Sequence, residues 1–242
     1  QFKEAKNFGS LIRPAVTDMH DLLDILREKN VAGQMFLQQT HQKVLMALEM
    51  ADFLSPKYHV VVANPPYMGS SNMNADLSDF AKSEYKDTKA DLFAMFIERD
   101  LELALRHAYV AMITMQSWMF LSSFEKFREK LLKQDTILSM AHLGARAFDS
   151  IGGEVVQTTA FVIQHIHREA YKGAFLRLVD GKSEAEKQVV LQATRNAPYR
   201  AAAADFRRIP GTPIAYSVSD RVRQVFADNK SIYEISISDG QN

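Results

Sequence analysis

One segment of the sequence, Tyr58-His59-Val60-Val61-Val62-Ala63-Asn64-Pro65-Pro66-Tyr67, joins an apolar run to two prolines. The run is rich in β-branched valine and predicts a buried β-strand. Neither proline can donate a hydrogen bond to a sheet, so the strand is expected to end in a stiff turn. Asn64 and Tyr67 then lie at the carboxyl end of a strand, where open α/β sheets bind their ligands.

The residues of this turn suit the binding of a planar amine. The amine could donate its two N–H bonds to the Asn64 side chain and the Pro65 carbonyl, while the Tyr67 ring stacks on it. Binding of this kind would draw the nitrogen lone pair out of the ring and make the nitrogen nucleophilic. The alternative is a proline turn at a strand end with an incidental tyrosine.

The sequence Asn-Pro-Pro-Tyr after a hydrophobic strand resembles the catalytic motif of the amino-methyltransferases. These enzymes move a methyl group from S-adenosylmethionine to an exocyclic or amide nitrogen. The resemblance implies that Asn64, Pro65, Pro66 and Tyr67 are catalytic, and that Asn64 also borders the cofactor. It implies an α/β fold, a partial Rossmann-like class I S-adenosylmethionine-dependent methyltransferase comprising the C-terminal half of the sheet with its flanking helices.

Two further segments resemble elements of this family. Lys89-Ala90-Asp91-Leu92-Phe93 is similar to a helix start beside the cofactor's adenine, which implies that Asp91 and Phe93 bind the cofactor. For these two residues, helix capping and core packing are the alternatives. The turn Gly144-Ala145-Arg146-Ala147-Phe148-Asp149 resembles a second base-gripping element, which implies that Phe148 faces Tyr67 across a flipped-out base.

The composition limits the kind of protein and its partners. The chain has 242 residues, 47% of them hydrophobic and 24% charged, which is typical of a globular protein with a sizeable core. The formal net charge is zero, so contact with nucleic acid requires a local basic patch. The sequence has no cysteine, which excludes disulfides and thiolate metal sites and fits the cytoplasm. No apolar run approaches the roughly 18 residues that cross a bilayer, so no membrane is expected.

The pattern predicts three regions: a helical segment over 1–56, a catalytic core over 57–180, and a linker with the start of a target-recognition region over 181–242. The first region contains a short edge strand or loop over 8–12. A core-facing helical hairpin follows from Thr17 to about Asp52, with a break at 30–33. The small, polar residues 68–74 have the marks of a mobile loop, which could close over a bound base or be an ordinary surface loop.

The predicted core continues in strands and helices. Helices are expected at about 92–106 and 124–132, the second with a solvated charged face, and strands at 109–114, 136–143, 155–163 and 175–180. Trp118 is expected in the core, and the last strand is expected to end the sheet. The Pro/Gly-rich stretch 205–214 is the candidate domain boundary. Six arginines and two aspartates between Arg195 and Arg223 could bind phosphates or belong to a solvated linker.

One expected motif is missing. A class I methyltransferase needs a Gly-rich turn that holds the cofactor, and the sequence has none before Asn64; Gly152-Gly153 lies between two late strands. We therefore expect a fragment whose first strands lie upstream of Gln1. Such a fragment alone is not expected to bind S-adenosylmethionine normally or to catalyse.

Over nearly its whole length the chain is similar to the large adenine-specific DNA methyltransferases of bacterial phage-defence (BREX-type) systems. This resemblance implies N6-adenine methylation of double-stranded DNA in restriction-modification or phage defence, with S-adenosylmethionine as cofactor and no metal. It also allows other defence-system subunits as partners. Two alternatives stay open: a protein glutamine N5-methyltransferase, and a non-catalytic DNA- or partner-binding module with a relic motif.

Overall fold

The computed structural model describes residues 2–15, 18–29, 35–148 and 156–228. Within these ranges the strands are β1 (Tyr58–Ala63), β2 (Ala104–Met115), β3 (Thr136–Gly144), β4 (Thr158–Gln164), β5 (Gly173–Arg177) and β6 (Tyr199–Ala201). The α-helices are α1 (Ala5–Phe8), α2 (His20–Glu28), α3 (Met35–Leu54), α4 (Ala75–Glu84), α5 (Leu92–Leu103), α6 (Glu125–Gln134), α7 (Glu184–Thr194), α8 (Ala203–Arg207) and α9 (Asp220–Asp228). Short 3₁₀ turns lie at Phe2–Glu4, Gly9–Leu11, Ser70–Asn72, Gln116–Met119 and Ser122–Phe124.

The strands form one mixed sheet in the order β1-β2-β4-β3-β5-β6. β1 is parallel to β2 and β3 is parallel to β5, whereas β4 lies antiparallel between β2 and β3. The carboxyl ends of β1, β2 and β3 therefore share one edge of the sheet with the beginning of β4. The α/β sheet predicted from the sequence is present, and this shared edge is where a ligand is expected.

One face of the sheet carries the main core. Alternate residues of β2, among them Val110 and Met112, point to this face and pack against α5 and α6. Trp118 is fully buried and packs edge-on against Phe127 and Phe161, which confirms the prediction that it is a core residue. Burial of each such large side chain stabilises the fold by about 1.5–3 kcal/mol.

The opposite face of the sheet is open. Mainly small and β-branched side chains line a hollow of about 610 Å³ on this face: Val62, Ala111, Ile113, Ser139, Ala141, Ala160, Val162, Ala174 and Leu176. Val60 and Val62 of β1 are 58% and 73% exposed. The prediction of a buried strand at 58–63 is therefore wrong in its burial, because β1 pairs with β2 alone among the described strands and its outer face is uncovered.

The N-terminal region differs from its prediction in two respects. Residues 8–11 lie in short helical turns instead of the expected edge strand or loop. The helices α2 and α3 are present, but they pack around a small cluster of their own that includes Met19, Leu23 and Ala51. Much of their apolar surface is exposed, and Phe53 is 70% exposed. The two helices therefore do not form the predicted core-facing hairpin. The predicted break at 30–33 lies outside the described residues.

The residues after 178 join the main core. β6 extends the sheet beyond β5, so the prediction that the sheet ends with the strand near 175–180 is wrong. Phe206, Ile214 and Tyr216 are buried in the same cluster as the helices that cover the sheet. The stretch 205–214, expected to be a domain boundary, therefore packs as core on both sides of its prolines. The division at residue 181 stays a prediction about domain organisation.

Two cations expected to be solvated are instead buried. Arg128 of α6 is 1% exposed and donates to the backbone carbonyls of Trp118, Leu121, Gly211 and Thr212. Arg223 is 5% exposed and lies 2.9 Å from an Asp220 carboxylate oxygen. The expected solvated face of α6 therefore loses one charge, and so does the expected basic patch at 195–223. In each case the buried arginine binds within the fold.

Candidate active site

The turn after β1 presents the side chains that the sequence singled out. Asn64 is exposed, Pro65 is buried and Tyr67 is half-buried. The Tyr67 hydroxyl lies 3.5 Å from the Asn64 side-chain oxygen and 3.4 Å from the Ile113 carbonyl oxygen of β2, so both hydrogen bonds are long and weak. Burial raises the pKa of Tyr67, so its hydroxyl stays a donor at neutral pH.

The Tyr67 ring is supported from behind. Phe93, in the first turn of α5, meets it edge-on with ring centroids 6.1 Å apart, and Phe93 also packs on Phe124. Phe93 is fully buried. The structure thus places this predicted cofactor-binding residue in the core, where it holds the Tyr67 ring and offers no surface to a ligand.

Asp91 joins the turn to the start of α5. Its carboxylate caps the helix by accepting the N–H of Phe93 at 3.3 Å, and it accepts the N–H of Met68 at 3.0 Å. The Leu92 N–H in turn donates to the Met68 carbonyl. Burial raises the pKa of Asp91, and the backbone donors oppose that rise. Capping, the alternative weighed for Asp91, is present; a role in cofactor binding stays a prediction.

These contacts also fix the first part of the segment 68–74, expected to be a mobile loop. Ser70 donates its N–H to the Ala90 carbonyl, and Gly69 forms an isolated β-bridge with Asp91. Residues 70–72 form a 3₁₀ turn, and Asn74 caps α4 by accepting the N–H of Leu77 at 2.9 Å. The segment is therefore bound to α5 at its start and to α4 at its end.

Replacement of Asp91 by alanine is expected to cost about 1–2 kcal/mol of stability, because one carboxylate both caps α5 and holds the turn of Tyr67. In the full-length gene product it is also expected to lower the methyl transfer that the sequence resemblance implies. Denaturant unfolding and a methyl-transfer assay measure the two effects. Asn74→Ala is the matched control, since it removes the cap of α4 without touching the turn. Equal activity losses in the two variants would contradict a specific role for Asp91.

Phe148 is not joined to Tyr67. Gly144, which ends β3, has a φ of +69°, and a Cβ there would lie 3.0 Å from Val179, so the chain turns at a position suited to glycine. Phe148 follows in this turn and is half-buried. Among the described residues, no aromatic contact links it to Tyr67, and residues 149–155 lie outside the described ranges. Base binding by Phe148 stays a prediction.

The site has room for a cofactor on one side. Asn64 lies at the rim of the 610 Å³ hollow on the open sheet face, so its amide borders free space as the resemblance requires. Backbone N–H groups of a Gly-rich turn are not found beside it among the described residues. The fit is therefore partial: Asn64 and its turn could form one wall of a site for S-adenosylmethionine.

Sequence reasoning missed a group of polar residues at the same edge. Gln116, His142, Gln157 and Tyr216 are linked by hydrogen bonds near the ends of β2, β3 and β4. These residues are up to 100 positions apart in the chain, so no motif unites them. The one available signal was a histidine near the end of an apolar strand.

The described ranges contain neither a cluster of metal-binding side chains nor a membrane-spanning helix. No three His, Cys, Asp or Glu side chains are grouped there so that they could share a metal ion. In the same part of the chain, no helix combines the length and apolar character needed to cross a membrane.

The chain is similar to several known proteins. It is 44% identical over 218 residues to the adenine-specific methyltransferase BrxX of Escherichia coli O9:H4 (strain HS), covering 89% of this chain and 18% of that protein. It is 40% identical over 232 residues to the adenine-specific methyltransferase PglX of Lacticaseibacillus casei (strain Zhang), covering 91% and 19%. The chain thus spans about a fifth of the length of these curated relatives.

The fold has a counterpart among solved structures. The cryoEM structure of the DrdV–DNA complex matches 72% of this chain and 20% of that chain, with a TM-score of 0.50 and 17% identity, which supports the fold alone. The α/β sheet with flanking helices and the similarity to adenine-specific methyltransferases, both predicted from the sequence, are confirmed. Residues 15–148, more than half of the chain, match the Eco57I restriction-modification methylase model, and the chain therefore belongs to that family.

Proposed function

We propose that this chain forms the catalytic-motif part of a DNA methyltransferase that transfers a methyl group from S-adenosylmethionine to N6 of adenine. The observation that carries the proposal is the turn at 64–67. An exposed Asn64 amide stands beside a half-buried Tyr67 ring at the carboxyl end of β1, and Asp91 fixes the turn to α5. The names of the curated relatives and the family give the chemistry.

The residues of the turn would bind the adenine amino group from two sides. The Asn64 side-chain oxygen and the Pro65 carbonyl each accept one of its N–H bonds, and no N–H of Pro65 or Pro66 competes for them. The lone pair of N6 is then directed away from the ring. When bound, S-adenosylmethionine supplies a methyl group that is already electrophilic, so the contribution of the chain is mainly positioning.

The base must leave the DNA duplex to reach this turn. Flipping costs a few kcal/mol, and stacking on an aromatic ring offsets about 1–3 kcal/mol of that cost. We assign this stacking to Tyr67, and its edge-on contact with Phe93 supports the assignment because it holds the ring from behind. Phe148 is proposed as the second ring on the strength of the sequence resemblance. Double-stranded DNA is therefore the proposed partner, and subunits of a defence system stay a prediction.

The test is a methyl-transfer assay on the full-length gene product that contains this chain. Labelled S-adenosylmethionine is supplied together with unmethylated DNA and protein of the host, and the labelled products are identified by mass spectrometry. We expect label in N6-methyladenine. Label in methyl-glutamine of protein would instead establish the alternative, a protein glutamine N5-methyltransferase. With folded protein and cofactor bound, no label in either product would favour a binding module with a relic motif.

A further inference from the structure

Four side chains form a continuous hydrogen-bonded chain at the catalytic edge of the sheet. The Tyr216 hydroxyl lies 2.8 Å from Nδ1 of His142, and Nε2 of His142 lies 2.5 Å from the Gln116 side-chain oxygen. The Gln116 amide nitrogen donates to the Gln157 side-chain oxygen. Gln116 directly follows β2 and Gln157 directly precedes β4. The series of hydrogen bonds therefore runs from the buried core out to the edge of the sheet.

The inner end of this chain is rigid. Tyr216 is 4% exposed, and its ring stacks on Phe175 with centroids 5.1 Å apart. His142 is 9% exposed and lies edge-on to the same tyrosine. Burial, together with the nearby cations Arg177 and Lys187, lowers the pKa of His142 to about 4, so its imidazole is neutral at physiological pH.

A neutral imidazole has one donor and one acceptor, and the neighbours determine which nitrogen is which. Nε2 of His142 faces the side-chain oxygen of Gln116, which can only accept, so Nε2 carries the hydrogen. Nδ1 then accepts the hydroxyl hydrogen of Tyr216. Because the Gln116 oxygen is bound to His142, its amide nitrogen is directed at Gln157.

The direction of these hydrogen bonds determines which end of the Gln157 amide faces outward. The side-chain oxygen of Gln157 is occupied by the Gln116 amide, so the Gln157 amide nitrogen is the part available to a ligand. Gln157 is exposed. A free glutamine can rotate to donate or accept, but rotation here would break the bond to Gln116, at a cost of about 1 kcal/mol. Gln157 therefore presents a hydrogen-bond donor.

The donor lies at the same edge of the sheet as the motif turn. β4 and β1 are the two neighbours of β2, so Gln157 and Asn64 are separated laterally by two strand spacings, about 10 Å. Ala63 pairs with Met112 and Met115 pairs with Thr158, so Gln157 also lies about three residues, or about 10 Å, further along the strand direction than Asn64. A DNA strand whose adenine is held at Asn64 would pass this edge. Phosphate oxygens only accept hydrogen bonds, and phosphate and sugar receive half to two-thirds of protein–DNA hydrogen bonds. The fixed donor matches that chemistry.

We propose that Gln157 donates a hydrogen bond to a DNA phosphate flanking the flipped-out adenine, and that Gln116, His142 and Tyr216 hold its amide in the donor orientation. This inference rests on the proposed function. Gln157 is then a DNA-binding residue, and the other three are positioning residues.

The direct test uses the full-length gene product and a duplex carrying its methylated site, identified by sequencing of DNA that the wild type has modified. Gln157→Leu is expected to raise KM for the duplex about tenfold and to change kcat less than twofold, because the contact serves binding. A neutral methylphosphonate at the contacted phosphate should raise the wild-type KM equally and leave the KM of Gln157→Leu unchanged.

The positioning role is tested with Tyr216→Phe, which keeps the ring and removes the hydroxyl. It is expected to raise KM about threefold in the wild-type background and to add nothing in the Gln157→Leu background. Tyr199→Phe is the matched control, since this tyrosine contacts the Tyr216 ring without joining the hydrogen-bonded chain, and it should leave KM unchanged.

The outcomes separate the two proposals. A wild type that methylates DNA, with Gln157→Leu at wild-type KM, would overturn the inference and leave the function standing. A changed methylated sequence in Gln157→Leu would also overturn it, because the amide would then contact a base edge. A folded, cofactor-bound wild type that does not methylate DNA would remove the proposed function itself.

Discussion

Asn64→Ala is expected to reduce the proposed methyl transfer of the full-length gene product about 100- to 1000-fold. The alanine removes one of the two acceptors proposed for the adenine amino group, and loss of a single well-placed polar group at a reacting atom has effects of this size. Asn64 is exposed, so the free energy of unfolding should change by less than about 0.5 kcal/mol. Single-turnover rates with saturating DNA and cofactor measure the loss in the chemical step.

Two further variants sharpen this prediction. Asn64→Asp keeps a side-chain oxygen at the same place and is expected to retain more activity than Asn64→Ala. Asn72→Ala is the control, because it removes an exposed asparagine from the same segment outside the motif, and it should behave as the wild type. A rate for Asn64→Ala close to that of Asn72→Ala would exclude the proposed role of the amide.

Arg128→Met is expected to have the largest effect on stability, about 3–5 kcal/mol, because several buried acceptors would each lose their donor at a cost of about 1–3 kcal/mol. The guanidinium is buried in α6, and its hydrogen-bond partners are backbone carbonyls of two segments, Trp118 and Leu121 on one side and Gly211 and Thr212 on the other. Methionine fills a similar volume but leaves these oxygens without a donor in the protein interior. Denaturant unfolding of the purified chain measures the difference.

The control for this prediction lies on the same helix. Lys126→Met replaces an exposed cation and should change stability by less than about 0.5 kcal/mol. Arg128→Lys keeps the charge but cannot reach both segments with one planar fork, so a loss close to that of methionine is expected. A loss below 1 kcal/mol for Arg128→Met would show that water replaces the guanidinium at these carbonyls.

Local signals made part of the site predictable. Valines followed by two prolines are sufficient to specify a strand and its end, and an aspartate before an apolar helix is sufficient to specify a cap. The strand at 58–63, its turn and the capping role of Asp91 therefore follow from neighbouring residues. Burial does not, because it depends on which elements cover a strand, and among the described residues the outer face of β1 is uncovered where its valines predicted burial.

The features that sequence reasoning missed depend on residues distant in the chain. Arg128 has the charge and spacing of a solvated helix face, and its burial depends in part on carbonyls 83 and 84 positions away. Phe93 carries the same local pattern whether it binds a ligand or supports Tyr67. The bond between His142 and Tyr216 spans 74 positions, and no periodicity relates the two.

The burial of Phe206, Ile214 and Tyr216 has a consequence for engineering. A chimaera that exchanged everything after residue 181 for the corresponding part of a relative would remove three side chains from the core and two carbonyl partners from Arg128. It would also remove the inner end of the hydrogen-bonded chain that leads to Gln157. A junction that keeps this core intact is therefore expected beyond Tyr216, and the Pro/Gly-rich stretch before it belongs with the core of the sheet.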